Sequence, residues 1–500
     1  MTQQKQKGNI IAIVMMIALF GMISFVTGLS NPMGVIVKDQ FGASNFMSQL
    51  GNFANFIAYA FMGIPAGLLL KRTGYKKTAL LAIAVGFIGV GIQFLSGVAG
   101  SFTVYLTGAF VAGFSMCMLN TVVNPMLNSI GGGGRKGNQL IQVGGTFNSL
   151  MATIVPVLVG YFIGNSLRPS IQDANPALFI AMGIFAIAFL VLFFVKIPEL
   201  IAEAKVKTTE KSKHSALSFR HFILGAVGIF IYVGVEVGIP NISNIYMTTK
   251  TNEQITVYKE EYQKQQADPV YLAELTEQVK QIEAAAEEAR VNKSPDLKEK
   301  LQAAKEAQGL VITEKDYQQA TEIKMPGLGI DKTIAGFVVG TYWFLMLIGR
   351  FLGVALGARF SSKAMLTFVA SLGLLFVLAA IFAPTSTTVS MPVFQSDLSF
   401  GIADVPIGIM FLILCGLCTS VMWGGIFNLA VEGLGKYLAT ASGIFMVLVC
   451  GGGILPLIQG AIADSVSYMA SFWVIVVGLA YLLFYALVGS KNVNKNIPVD

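Results

Sequence analysis

Apolar runs long enough to cross ~30 Å of hydrocarbon as helices recur along almost the whole of this chain and leave little room for any other fold. They begin near Ile10, Ser48, Thr78, Phe102, Gln139, Pro176, Phe222, Ile334, Ala364, Val405, Ala439 and Tyr468. The expected fold is an all-α polytopic membrane protein with twelve transmembrane helices. Composition agrees, since 54% of the side chains are hydrophobic and only 12% charged, whereas a soluble domain is about a quarter charged. The first run follows Lys5 and Lys7 as a signal peptide would, but it continues to about Val37 without a small-residue cleavage site and reads as a retained helix.

An internal repeat divides the chain. Asn120 to Gly160 carries Asn120, Asn124 and Pro125, a Gly-rich basic linker (Gly131 to Gly137), then Asn148, Pro156 and Gly160. A weaker copy carries Asn428, the linker Glu432 to Lys436, then Pro456 and Gly460. Hydrophobic helices broken by Pro and Gly at matching places point to a transporter whose site lies between the halves. The expected organisation is two pseudo-symmetric six-helix bundles, residues 1–196 and 221–500, joined by a polar, basic cytoplasmic loop at 197–220.

The carboxy-terminal bundle is interrupted between its first two helices, the seventh and eighth of the chain. Residues 250–332 carry 12 basic and 16 acidic side chains, with strong helix formers, Glu/Lys pairs at i,i+4 spacing, and Ser294 and Pro295 placed as N-cap and N1. A helical insertion is expected, broken near Asn292 to Pro295. A solvated decoration, a lid over one mouth and a docking surface for an extracytoplasmic partner are its alternative roles.

Basic residues set the orientation. Lys71, Arg72, Lys76 and Lys77 follow the second run, Arg135 and Lys136 the fourth, Lys196 to Arg220 the sixth, and Arg359 and Lys363 the eighth. All fall on the side of the amino terminus, so both termini are expected in the cytoplasm and the insertion outside. The net charge of +7 is then a topology signal facing the lipid bilayer, and no nucleic-acid partner is implied. The four cysteines lie inside apolar runs and, with the two histidines elsewhere, read as small buried residues; no metal or other cofactor is expected. GGGGRKGN lacks the Gly-Lys-Ser/Thr ending of a phosphate loop, and no enzymatic motif appears.

Polar side chains in hydrocarbon are costly and usually face a cavity or another helix. Asn52, Asn55 and Tyr59 share one helical face, as do Asn120 with Asn124 and Tyr232 with Glu236. Amides both donate and accept, which suits solute hydroxyls, and rings such as Trp343 and Trp423 suit an apolar C–H face. Interhelical glue is the alternative. Glu236 is the one acidic residue well inside a run, four residues before Pro240, whose ring removes a backbone bond to the carbonyl of residue 236. A proton-coupling role is expected for it, with structural pairing to Arg350 as the rival.

Several stretches together resemble the fucose:proton symporter family of the major facilitator superfamily, which includes fucose and glucose/galactose permeases. They are GIPAGLLLKRTGYKKT (Gly63 to Thr78), NTVVNPM with TFNS (Asn120 to Ser149), IYVGVEVGI (Ile231 to Ile239), GRFLG (Gly349 to Gly353) and ILPLIQGAIADS (Ile454 to Ser465). The resemblance implies alternating access and proton-driven uptake of a monosaccharide across a bacterial inner membrane. Acidic positions of the family in its first and fourth helices correspond here to Asn31 and Asn120, which leaves Glu236 as the coupling group; Asn148 matches the family's asparagine in the fifth helix. The expected sugar contacts are Asn31, Asn55, Asn120, Asn124, Asn148, Asn241 and Trp423. Lys71, Arg72 and Lys76 are expected at a cytoplasmic gate, although Lys71 stands where the superfamily's loop has Asp. A facilitator or exporter of another polar solute, and a receptor using the insertion, are the other readings.

Overall fold

The computed structural model describes residues 2–130, 134–163, 169–195, 215–292, 294–356, 359–397, 399–494 and 497. The central loop expected at 197–220 lies, up to residue 214, outside the described residues, as do positions 131–133 of the first linker.

Eleven of the described helices are long and apolar enough to cross a membrane. The helix Leu50–Ala99 counts twice: its 50 residues are interrupted at Gly74, where φ is 83° and ψ 172°. A side chain is strained there and glycine is not, so one residue turns the chain between spans 2 and 3. With span 1 at Ile10–Phe41, the others are Phe102–Leu127 (span 4), Val143–Ile163 (5), Ile171–Phe194 (6), Arg220–Thr248 (7), Lys332–Gly353 (8), Ser362–Phe382 (9), Ile407–Val431 (10), Gly443–Ser465 (11) and Tyr468–Gly489 (12). Twelve spans result.

The repeat glycines mark where the halves meet. A Cβ on Gly160 in span 5 would lie 3.2 Å from the Lys332 carbonyl oxygen and 3.3 Å from the Gly336 Cα of span 8. A Cβ on Gly460 in span 11 would lie 2.7 Å from the Asn45 carbonyl oxygen, just before span 2. Both glycines permit helix backbones to approach closely across the interface. The pseudo-symmetry read from the sequence is thus a packing requirement at two equivalent places.

Between spans 7 and 8 the insertion is helical, but its breaks differ from expectation. Its helices are Asn252–Ala267, Pro269–Val291, Leu297–Ala307 and Glu314–Thr321. Thr251 and Thr313 open capping boxes, and Asp268 caps the second helix with Pro269 at N1. Asp296, not Ser294, occupies the N-cap of the third. Buried Ala286, Ala289, Ala304 and Ala307 bring the second and third helices together; alanine permits that packing without a deep core. The returning chain is joined to the end of span 7. The N–H groups of Gly327, Leu328, Gly329 and Ile330 donate to the carbonyls of Lys250, Tyr246, Thr249 and Met247 at 2.7–2.9 Å, satisfying acceptors that a helix end otherwise leaves to water.

On the same face, the connection between spans 9 and 10 is an antiparallel hairpin, Thr388–Phe394 with Phe400–Pro406. It rests on span 8, where the Phe394 N–H donates to Thr341 Oγ1 at 2.9 Å.

Candidate functional site

Between the halves lies a cavity of about 400 Å³. Its wall includes Thr27, Tyr59, Asn120, Asn124 and Asn148 from spans 1, 2, 4 and 5, and Glu236, Trp343, Arg350, Trp423 and Asn428 from spans 7, 8 and 10. It extends to Phe360 and Ser362, beside the connection between spans 8 and 9.

The amino-terminal wall is a set of amides fixed by their own half. Asn120 Nδ2 donates to Tyr59 Oη at 3.0 Å and to the Met116 carbonyl at 3.1 Å. One turn on, Asn124 Nδ2 donates to the Asn120 carbonyl at 3.0 Å. Asn148 Nδ2 donates across to the Phe20 carbonyl of span 1 at 3.2 Å. The spacing i, i+4 sets the first two on one face, and the backbone bonds orient all three before any solute arrives.

The carboxy-terminal wall carries charge and rings. Arg350 Nη2 stands 3.8 Å from Glu236 Oε1, both side chains being largely buried. Arg350 Nη1 donates to the Gly145 carbonyl of span 5. One guanidinium therefore joins a carboxylate of its own half to backbone of the other. Pro240 has the expected effect on the backbone, and the consequence is specific: Tyr342 Oη donates to the Glu236 carbonyl at 3.1 Å. A hydroxyl from span 8 thus occupies the acceptor that Pro240 cannot serve, and span 7 continues through the proline from Arg220 to Thr248. Trp423 leans on Tyr232, ring centroids 6.1 Å apart.

Three expected solute contacts lie elsewhere. Asn31 and Asn241 are buried away from the cavity and bond each other across the halves, Asn31 Nδ2 to Asn241 Oδ1 at 2.7 Å. Asn244 Nδ2 donates back to Asn31 Oδ1 at 2.8 Å, and Asn241 Nδ2 to Gln49 Oε1 at 3.3 Å. Asn55 is buried where span 2 meets span 4, its carbonyl oxygen 2.1 Å from where a Cβ on Gly113 would stand.

The seal extends toward the insertion. Asn52 Nδ2 donates to the Gly452 carbonyl at 2.7 Å, and Asp464 accepts from the N–H groups of Asn45 and Phe46, both at 2.8 Å. Lys38 Nζ donates to Asn45 Oδ1 (2.6 Å), Thr249 Oγ1 (2.7 Å) and Tyr468 Oη (2.7 Å). On this face the halves are hydrogen-bonded together directly.

The residues expected at the opposite gate are placed differently from one another. Lys71 and Arg72 are exposed beside the Gly74 turn. Lys76 Nζ donates to the carbonyls of Phe193 and Val195, both at 2.8 Å, so it caps the end of span 6 within its own half.

Sequence reasoning missed Ser24, Thr27 and Asn428 in the cavity wall and the whole Lys38 cluster. Asn428 was signalled by the repeat; Lys38 was signalled only by its position near the end of an apolar run. The cysteines Cys117, Cys415, Cys418 and Cys450 are free and buried, as expected.

This arrangement can be set beside known proteins. The Major Facilitator Superfamily profile matches residues 12–253. A glucose/galactose transporter of Brucella abortus is 24% identical over 97% of this chain and 96% of its own length. Over that amino-terminal stretch the chain resembles the major facilitator superfamily. Within it, the L-fucose-proton symporter of Escherichia coli is 21% identical, covering 92% of this chain and 90% of its own. A crystal structure of the Escherichia coli fucose:proton symporter aligns over 97% of this chain and 100% of its own with a TM-score of 0.61 at 17% identity. A shared fold accounts for the twelve spans and for a cavity held between two sets of them. The protein is thus a multi-pass integral membrane transporter and not an enzyme.

Proposed function

We propose that this protein imports a monosaccharide across the bacterial inner membrane by proton symport, presenting its cavity to one face at a time. The observation that supports this most is the cavity itself. It lies between the halves, falls within the roughly 300–1,000 Å³ range of small-molecule sites, and combines oriented amides, two tryptophans and one ion pair. Asn120, Asn124 and Asn148 take sugar hydroxyls, with Trp423 and Trp343 against the C–H face. The substrate class follows the relatives named as glucose/galactose and fucose transporters. Division into bundles at residues 1–196 and 221–500, cytoplasmic termini and an outer insertion complete the reading; on it, the hydrogen-bonded seal closes the outer mouth and the cavity faces inward.

Coupling rests on Glu236. An ionised carboxylate beside Arg350 is stabilised by the opposite charge. Protonation weakens that attraction, leaving Arg350 tied chiefly to Gly145 of the other half, so proton binding is felt at a contact between moving parts. In reconstituted vesicles Glu236→Gln should abolish sugar accumulation against a gradient while sparing exchange. Unchanged accumulation removes the coupling role, and uptake without solute-dependent external alkalinisation makes the protein a facilitator. We read the insertion as a roof, not a docking surface for a partner, because it turns residues toward this chain's own first span: Lys315 Nζ donates to the Gln40 carbonyl at 3.4 Å.

A further inference from the structure

Beneath the insertion is a second cavity, of about 1340 Å³. Its floor is formed by Lys38, Asp39, Asn45, Thr249 and Asp464, and the insertion helices supply its opposite wall through residues such as Tyr258. Any solute passing through this face must cross that floor. At its centre stands Lys38, half-buried among the buried partners Asn45, Thr249 and Tyr468. An ammonium has three N–H donors, and the three here are all engaged, one within the amino-terminal half and two with the carboxy-terminal half. Tyr468 Oη also donates to Asn45 Oδ1 at 2.8 Å and shares a bond with Thr249 Oγ1 at 2.9 Å. The four side chains form a closed polar ring around one charge.

We infer that Lys38 is the latch of this face, a positioning residue that sets how often the central cavity opens toward the insertion. All its bonded partners are neutral oxygens. The attraction is therefore strong enough to close the ring but, lacking a carboxylate, weaker than a buried ion pair. When the halves part, Thr249 and Tyr468 withdraw together with span 7 and span 12, and the ammonium is left in the wet chamber that already borders it. The adjoining backbone is held in the same sense. Lys332 Nζ lies 2.9 Å from Asp39 Oδ2. With its amide oriented to satisfy both groups, Gln319 donates to the Asp39 carbonyl at 3.1 Å and accepts from the Gly42 N–H at 3.2 Å. Carboxy-terminal residues thus clamp the end of span 1 from two sides, and Lys38 is the point where that clamp meets the solute path.

This inference rests on the alternating-access reading, and the experiment separates the two. Thr27→Cys places a thiol in the central cavity, while the native cysteines are buried. Val270→Cys, at a position 68% exposed, marks the insertion face. Alkylation by a membrane-impermeant maleimide is timed in right-side-out and inverted vesicles. Lys38→Gln should raise labelling of Thr27→Cys from the insertion face roughly tenfold, as loss of charge-assisted bonds implies, and lower it from the opposite face. Thr249→Val should shift both rates the same way by less, and Lys38→Arg should restore most of the original pattern. Unchanged labelling from the insertion face in both Lys38→Gln and Thr249→Val overturns the latch. A rise from both faces overturns it too, since that reports a loosened fold. If the parent Thr27→Cys protein labels from neither face, alternating access itself fails.

Discussion

Two layers of asparagine cross this protein at different depths, and they do opposite things with the same side chain. In the seal, Asn31, Asn241 and Asn244 bond one another between halves, and Asn52 reaches the Gly452 carbonyl. In the cavity, Asn120, Asn124 and Asn148 bond within their own half, mostly to backbone, and border open space. The difference lies in the partner. An amide satisfied by the opposite half resists separation of the halves; an amide oriented by its own half is indifferent to that separation and is available to a solute. On the proposed function, gate and recognition are thereby assigned to one residue type without either interfering with the other.

Substitutions in the two layers should part cleanly. The largest effect is expected from Asn120→Ala with Asn124→Ala, which removes the oriented amides. KM for transport should rise on the order of a hundredfold, because solute hydroxyls then lose buried partners worth roughly 1–1.5 kcal/mol each, while labelling of the cavity thiol from each face stays as it was. An effect on labelling equal to that on KM would merge the two layers.

Asn31→Ala should act the other way. It breaks both cross-half bonds of Asn31, so access from the insertion face should rise roughly five- to tenfold. KM measured from that face should fall, since apparent affinity improves as the competent state becomes more populated. A raised KM would return Asn31 to the solute-binding set that its position in the sequence first suggested.

The smallest effect belongs to Asp296, outside both layers. Hydrogen bonds from Ser294 and Lys300 hold its carboxyl below the usual carboxylate range. A depressed folded-state pKa means that this contribution to the insertion is present at neutral pH and is lost as pH falls through the depressed value, below the ordinary ~3.9 of aspartate. Asp296→Asn should remove only that acid-limb sensitivity in thermal unfolding of the insertion and leave uptake and labelling unchanged.

What the sequence could and could not reveal follows from the range of the forces. Span number is written in uninterrupted apolar runs, a local property, and was read correctly, as were the helical insertion and the freeing of the Glu236 carbonyl by Pro240. Assigning each asparagine was not local. Asn31 and Asn120 are both polar residues in oily helices, and only the packing of spans 1 and 7 against each other decides that one is paired and the other faces a cavity. The hairpin was hidden for a different reason: Pro392 interrupts its first strand, and proline argues against a strand unless it lies at an edge, which in a two-stranded sheet it does. The third insertion helix begins two residues later than expected: Asp296 holds the N-cap position without a side-chain capping bond, its carboxylate taken instead by Ser294 and Lys300.

The four backbone bonds from Gly327 to Ile330 splice the insertion onto span 7, and this has a mechanical result. Its 23-residue helix is ~35 Å long, so it acts as a pointer fixed to one rocking body and amplifies small rotations at its far tip. A pair of spectroscopic probes, one on that tip and one on the opposite bundle, would turn each transport cycle into a readable swing.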